Sequence, residues 1–175
     1  MSLPKSILTS LAMTSNSRNI YIVGAQGTAA DIRSSCERAL ELQRLILHAQ
    51  VVAERRALEA DGWFISDRSG VDPICYALRY VGGEGASQLI ESNEWQELSE
   101  RMAKGLIIVC EARGDSLQDD GVRLMPLDRK KWISFHKLFC NALDQLGMPY
   151  TVLPANLIGL SERVDLVLSE VPATG

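Results

Sequence analysis

From Ile20 onward the chain alternates short apolar runs with longer stretches in which apolar residues recur every three or four positions. "IYIV", Ile20 to Val23, is a β-type run that stops at Gly24. "SSCERALELQRLILHAQVVAERRALEADG" then predicts one long helix, with Ser34 and Glu37 as a capping-box pair and Gly62 as a left-handed stop. Leu42, Leu45, Ile46, Ala49, Val52 and Ala53 fall on one face at helical spacing, which makes them its expected core side. "WFIS", Trp63 to Ser66, predicts a short strand ending in Asp67-Arg68-Ser69. Asp72-Pro73 opens a helix with proline at its first position, carrying Ile74, Ala77, Leu78 and Val81 and stopping at Gly82-Gly83.

A further helical stretch starts near Glu84, and Asn93 with Gln96 resembles another capping start. "GLIIVCEA", from Gly105, is the strongest strand signal: an unbroken apolar run suited to a parallel sheet buried on both faces. "DRKKWISFHKLFCNALDQLG" predicts a helix with Trp132, Phe135, Leu138, Phe139, Ala142, Leu143 and Leu146 on its apolar side. "YTVL", Tyr150 to Leu153, is a last strand, and Ser161 is the expected cap of a final helix through Val164, Val167 and Leu168. Alternating strands and helices define an α/β class with a mostly parallel sheet, helices on both faces and right-handed crossovers.

Composition narrows the function classes. With 175 residues the chain is long enough for one domain with a substantial core, expected over residues 19–175 behind a disordered tail at 1–18. A net charge of −4 argues against a nucleic-acid partner, which selects a basic face. No apolar run approaches the roughly 20 residues of a transmembrane helix, so a cytoplasmic location is expected. Cys36, Cys75, Cys110 and Cys140 form no C-x-x-C pair and read as reduced thiols rather than a disulfide framework or zinc site.

In an open parallel sheet, ligands bind beyond the carboxyl ends of the strands. That geometry singles out Gly24 to Thr28, Asp67 to Ser69, and Glu111 with the polar segment after it. Gly24 opens like a phosphate loop, yet Ala25, Gln26, Gly27, Thr28, Ala29, Ala30 and Asp31 supply no lysine. Asp67 has the chemistry to accept a proton from a substrate hydroxyl or to hold a magnesium ion's water, and Arg68 to grip phosphate. Either residue equally well solvates a strand end. In "DDGVRLMPLDRKK", Arg123, Arg129, Lys130 and Lys131 form a basic cluster in an acidic chain, consistent with a lid that closes on phosphates. The alternative is a solvated loop leading into a helix with a basic first turn, although lysines at a helix N-terminus oppose the macrodipole, which favours a functional reason for the charge. His48 and His136 stand alone on helices and read as structural.

Taken together, "WFISDRSGVDPICYALRY", "GLIIVCEA", "DDGVRLMPLDRKKWISFHKLFCNALDQLGMPYTVLP" and "SERVDLVLS" resemble the NadR-related AAA domain group, P-loop proteins similar to nucleoside and nucleotide kinases. The resemblance runs from Asn19 to Ser169. It implies a three-layer α/β P-loop fold binding ATP or GTP with Mg²⁺, and phosphoryl transfer, in NadR itself to a ribosylnicotinamide hydroxyl. Carried over by motif, Asp67 matches the acidic residue near the acceptor hydroxyl or metal, Arg68 its substrate-gripping neighbour together with Asp72, and Arg123 and Arg129 the lid arginines. Gly24, Gln26, Gly27 and Thr28 stand where the nucleotide phosphates bind.

The chain departs from that family at its opening. Relatives follow "IYIVGAQ" with a T-G-K-T stretch, a helix, and a further strand and helix, whereas here "IYIVGAQG" passes within a few residues into "ADIRSSCERALELQ". An internal deletion accounts for this, removing the lysine and hydroxyl that grip phosphates and magnesium together with one strand and the phosphate-loop helix. The expectation is a kinase-like nucleotide-binding domain, acting in intact relatives on a small hydroxyl substrate and impaired here. The alternative is a non-catalytic module responsive to a nucleotide or phosphorylated ligand.

Overall fold

The computed structural model describes residues 19–23, 35–112 and 129–171. The expected tail at 1–18 lies outside these. In chain order the elements are β1 (Ile20–Val23), α1 (Cys36–Asp61), β2 (Ile65–Asp67), α2 (Val71–Tyr80), α3 (Gly83–Ile90), α4 (Asn93–Met102), β3 (Leu106–Cys110), α5 (Arg129–Gln145), β4 (Thr151–Leu153) and α6 (Leu160–Glu170). The four strands form one all-parallel sheet in the order β2-β1-β3-β4, as the α/β reading requires. Ile20 aligns with Ile65 on one side and Leu106 on the other, so each row of side chains crosses three strands.

The two faces are covered unequally. Tyr21, Ile107 and Val109 point into a large core built with Leu47 and Val51 of α1, Ile74 and Ala77 of α2, Leu89 of α3, Leu98 and Met102 of α4, and Phe135, Phe139 and Leu143 of α5. The opposite face carries Ile20, Ile108 and Leu153, against which the described helix residues are Leu166, Val167 and Leu168 of α6. Helices therefore lie on both faces, five against one among the described residues.

This layering fixes the hand of the crossovers. The chain steps from β2 past β1 to β3, and then from β3 to β4, in one direction across the sheet, with both sets of helices on the Tyr21 face. It steps from β1 to β2 in the opposite direction, yet α1 lies on that same face. Reversing the step without changing the face reverses the hand. The β1-to-β2 connection, judged by its described helix, is thus opposite in hand to the other two, and the expectation of uniformly right-handed crossovers fails. Strand twist favours the right hand in about 98% of parallel crossovers; a β1-to-β2 step of the same hand as the other two needs a helix on the Ile20 face.

Local signals located the helices but misplaced some details. The cap of α1 is Ser35, whose hydroxyl accepts from the Arg38 N–H at 3.3 Å, rather than Ser34. The cap of α4 is Ser92, accepting from the Trp95 N–H at 3.2 Å, rather than Asn93. The cap position of α6 is Gly159, with no side-chain cap, rather than Ser161. Gly62 does end α1 in the left-handed region, at φ 73°. The larger correction concerns which side of α1 faces inward. Its buried residues are Ala39, Gln43, Leu47, Val51 and Glu54, while Leu45 is 58% and Ile46 40% exposed. Apolar residues wrap most of the way round this helix, so spacing alone did not select the face that packs.

A polar cluster decides that face. The Glu54 carboxylate, 2% exposed, accepts from the Tyr21 hydroxyl at 3.2 Å, from Arg101 Nε at 2.9 Å and from Gln50 Nε2 at 2.8 Å. Gln50 also donates to Ser66 Oγ at 3.0 Å. Arg101 and Arg55 both hold Glu97. One buried carboxylate thereby joins β1, α1, β2 and α4. Burial pushes the Glu54 carboxyl up, against the donors of Gln50 and Arg101; burial, then the Glu54 charge, pushes the Tyr21 hydroxyl far above its ordinary range. No described helix is long and apolar enough to cross a membrane.

Two outcomes follow from this cluster. Glu54→Ala removes the acceptor of the Tyr21 hydroxyl and takes the buried carboxylate from Arg101 and Gln50, which keep Glu97 and Ser66, and is expected to cost about 3–5 kcal/mol in urea unfolding. Glu97 is held by Arg55 and Arg101 at about 2, below its ordinary 4.5. A depressed carboxyl stabilises the fold above pH 4.5 and loses that contribution as pH falls toward 2. Melting temperatures of Glu97→Gln and the parent chain should therefore converge on acidification across that window and differ above it, less so at high salt because Glu97 is at the surface.

Candidate functional site

Because every strand runs the same way, all four carboxyl ends reach one edge of the sheet. β1 ends at Val23 between β2 and β3, with Ile22 aligned on Asp67 on one side and Ile108 on the other. β3 ends at Cys110, aligned on Leu153 of β4. Gly24, at the mouth of the suspected phosphate loop, thus follows the strand at the middle of this edge, one strand from Asp67. The structure brings the end of β1, Asp67 and Glu111 to a common edge, as the parallel topology predicts.

The turn after β2 is built around a buried carboxylate. Asp72, in the first turn of α2 and 4% exposed, accepts from the Ser69 N–H at 2.8 Å, the Ser69 hydroxyl at 3.0 Å and Arg68 at 3.1 Å. Ser69 Oγ in turn accepts from the Val71 N–H at 3.2 Å. The Arg68 guanidinium also bonds the Tyr76 hydroxyl. Burial pushes the Asp72 carboxyl up, opposed by Arg68 and the Ser69 donors. These bonds hold Arg68 at φ 115°, the one described non-glycine residue with a positive φ. Such a backbone costs of order 1–3 kcal/mol and persists only where its surroundings over-determine it. Asp67 itself ends β2 as an exposed carboxylate.

Alternation along the strands decides which groups face α6. Ile65 belongs to the Ile20 face, so Asp67, two residues on, shares it. Leu106, Ile108 and Cys110 of β3 point the same way. On α6, Leu166 and Val167 pack on this face, and Arg163 lies one helical turn before them, nearer the carboxyl edge. Its charge acts on the Cys110 thiol. Burial pushes that thiol up; Arg163 opposes the rise and the Asp67 charge reinforces it. An acid, a thiol and a guanidinium on three elements therefore surround the end of β1 on one face.

On the other side of this edge Glu111 ties two loops together. Its carboxylate accepts from the Ala155 N–H at 2.8 Å, and its own N–H donates to Leu153 O at 3.0 Å. His136 and Cys140 approach to 3.8 Å on α5. Burial lowers the His136 pKa and raises that of Cys140, so the pair is a neutral imidazole beside a protonated thiol rather than an activated nucleophile.

Of the residues singled out by sequence, Asp67, Arg68 and Asp72 stand within one turn, with Asp72 buried as its anchor. Arg129 opens α5. Gly24, Gln26, Gly27, Thr28 and Arg123 lie outside the described residues, as does the Arg129 side chain. One arginine in an amphipathic helix carries no signal in sequence, and the packing of Leu166 and Val167 sets the side of α6 on which Arg163 lies. Among the described residues no group of three or more His, Cys, Asp or Glu side chains could hold a metal ion. A single exposed carboxylate such as Asp67 suits magnesium that arrives with a nucleotide's phosphates and keeps its waters.

The turn yields a clean comparison. Arg68→Gly and Arg68→Ala both lose the guanidinium, but only glycine accepts φ 115° without strain. Arg68→Gly is expected to be the more stable of the two by about 1 kcal/mol in denaturant titration.

A family profile described as AAA domain matches residues 16–162. Comparison with curated proteins and with solved structures gave no match. The profile covers most of the chain, including all four strands and the candidate edge, and the sheet has the parallel α/β form of a P-loop protein. The chain belongs to the AAA domain family of P-loop NTPases, whose domains bind nucleotides.

Proposed function

We propose that this domain is built as a nucleotide-dependent small-molecule kinase of the NadR-related kind and that its phosphoryl transfer is impaired. The observation that carries the reading is the central position of β1, which ends at Val23 with Ile22 aligned on Asp67, at the carboxyl edge of an all-parallel sheet in an AAA-family chain. In this reading Gly24, Gln26, Gly27 and Thr28 line the phosphates of ATP or GTP, and Asp67 faces the acceptor hydroxyl or a magnesium-bound water. Asp72 positions Arg68 toward the substrate, and Arg123, before α5, and Arg129, its first residue, meet the phosphates. Magnesium, where bound, would neutralise charge on the phosphates.

Impairment follows from the absence of lysine between Gly24 and Asp31, since phosphoryl transfer depends on positioning and charge neutralisation. Two structural features support an internal deletion there. The crossover from β1 to β2 has the opposite hand to its neighbours, and a helix on the Ile20 face followed by a strand outside β2 would give each step a consistent hand. Leu45, Ile46, Ala49 and Ala53 of the expected core stripe of α1 are exposed to solvent, as they would be if their packing partner were missing. The missing lysine equally favours a second reading, a non-catalytic module that responds to a nucleotide or phosphorylated ligand.

Calorimetric titration with ATP, with and without Mg²⁺, tests impairment: affinity near 1 mM with little magnesium dependence is expected, and micromolar magnesium-dependent binding would contradict it. A variant carrying a G-x-x-x-x-G-K-T loop with the helix and strand after it should transfer phosphate to a member of a nucleoside panel. No transfer from a folded variant would favour the non-catalytic module.

A further inference from the structure

We infer that the outward stripe of α1 pairs antiparallel with the same stripe on a second copy of this chain. Helix geometry places the stripe. At about 100° per residue, Leu45 and Ala49 lie on the side of α1 opposite Leu47 and Glu54, which face the core. Leu42 and Val52, both half-buried, and the exposed Ala53 continue it. Leu45 is 58% and Ile46 40% exposed, and neither joins an apolar cluster among the described residues. A contiguous apolar band left in water marks an interaction surface.

Charges at the two ends of the band select its occupant. Arg38 and Arg56 stand about five turns apart, hence on one line of the helix, and close the band at either end. Glu41 and Glu59, also about five turns apart, run beside them along one side. All four side chains are exposed. Among the described residues Arg38, Arg56 and Glu59 form no ion pair, and Glu41 has Arg44 at 3.8 Å. A two-fold axis crossing the helix level with His48 and Ala49 brings Arg38 to the partner's Glu59 and Glu41 to the partner's Arg56. Leu45 then meets the partner's Val52, with Ala49 of both copies at the centre. Parallel pairing would instead set Arg38 against Arg38 and Arg56 against Arg56, like charge on like. A patch that complements itself under this rotation is what a two-fold dimer requires. Pairing from Arg38 to Glu59 uses about 32 Å of helix, a contact of the small class below about 1,200 Å². The dimer is therefore reversible, with a dissociation constant in the micromolar range. It stands whether or not the domain binds a nucleotide.

Sedimentation velocity of the full chain from about 5 to 500 µM tests the pairing. A shift from monomer to dimer with rising concentration is expected, and a monomer throughout overturns the inference. Leu45→Asp is expected to weaken the dimer by about tenfold or more. Because Leu45 is exposed, the urea midpoint of this variant should match that of the parent chain. Equal dimerisation by Leu45→Asp and the parent chain overturns the inference. Arg56→Glu should weaken association by about tenfold, and Glu41→Arg combined with Arg56→Glu in one chain should restore it. These two positions lie about 22 Å apart along α1, too far to bond within one helix, so rescue reports pairing between copies. Failure of the double exchange to rescue overturns the inference. Should a charge variant not melt cooperatively, Ala49→Cys supplies a second readout. With Cys36→Ser removing the exposed thiol, mild oxidation is expected to give a covalent dimer through position 49, and its absence overturns the inference.

Discussion

Glu54 is the constraint on which the arrangement of this chain depends. A carboxylate 2% exposed to solvent is costly unless donors surround it, and here Tyr21, Gln50 and Arg101 do so from β1, α1 and α4. Those bonds orient α1 and set which of its sides faces Tyr21. They also hold the edge strand β2 through Gln50 and Ser66. With the amino-terminal side of the sheet clamped in this way, the carboxyl ends are left to carry chemistry.

The same clamp has a topological consequence. It keeps α1 on the Tyr21 face although β1 must reach β2 in the direction that favours the other face. The apolar stripe carrying Leu45 and Ile46 is then turned outward. Buried area on the Tyr21 side, with Leu47, Val51, Leu98 and Phe139 almost fully enclosed, outweighs an unfavourable crossover; each such side chain contributes about 1.5–3 kcal/mol.

At the opposite edge the geometry divides labour between fixed and available groups. Asp72 is buried and anchors a strained turn, while Asp67 ends its strand in solvent. Glu111 is bonded to the loop after β4 and holds two strand ends in register. Asp72 and Glu111 fix the backbone at this edge, and Asp67 is left exposed. A parallel sheet makes this economical, since one direction of travel delivers every strand end to the same place.

Sequence by itself determined the elements and their class. Apolar runs such as Ile20–Val23 and Leu106–Cys110 and the stripe Phe135, Phe139, Ala142 and Leu143 reflect local periodicity, and periodicity survives without tertiary contacts. Alternation of strands and helices then implied a parallel sheet and a ligand edge at Asp67. The caps Ser35 and Ser92 were each missed by one residue, because neighbouring Ser and Asn carry the same local signal and only hydrogen-bond geometry separates them. Tertiary structure alone decided the inward side of α1, the burial of Glu54 and the hand of the β1-to-β2 step. Each of these depends on which distant groups meet, and a linear pattern records what a residue is without recording what stands opposite it.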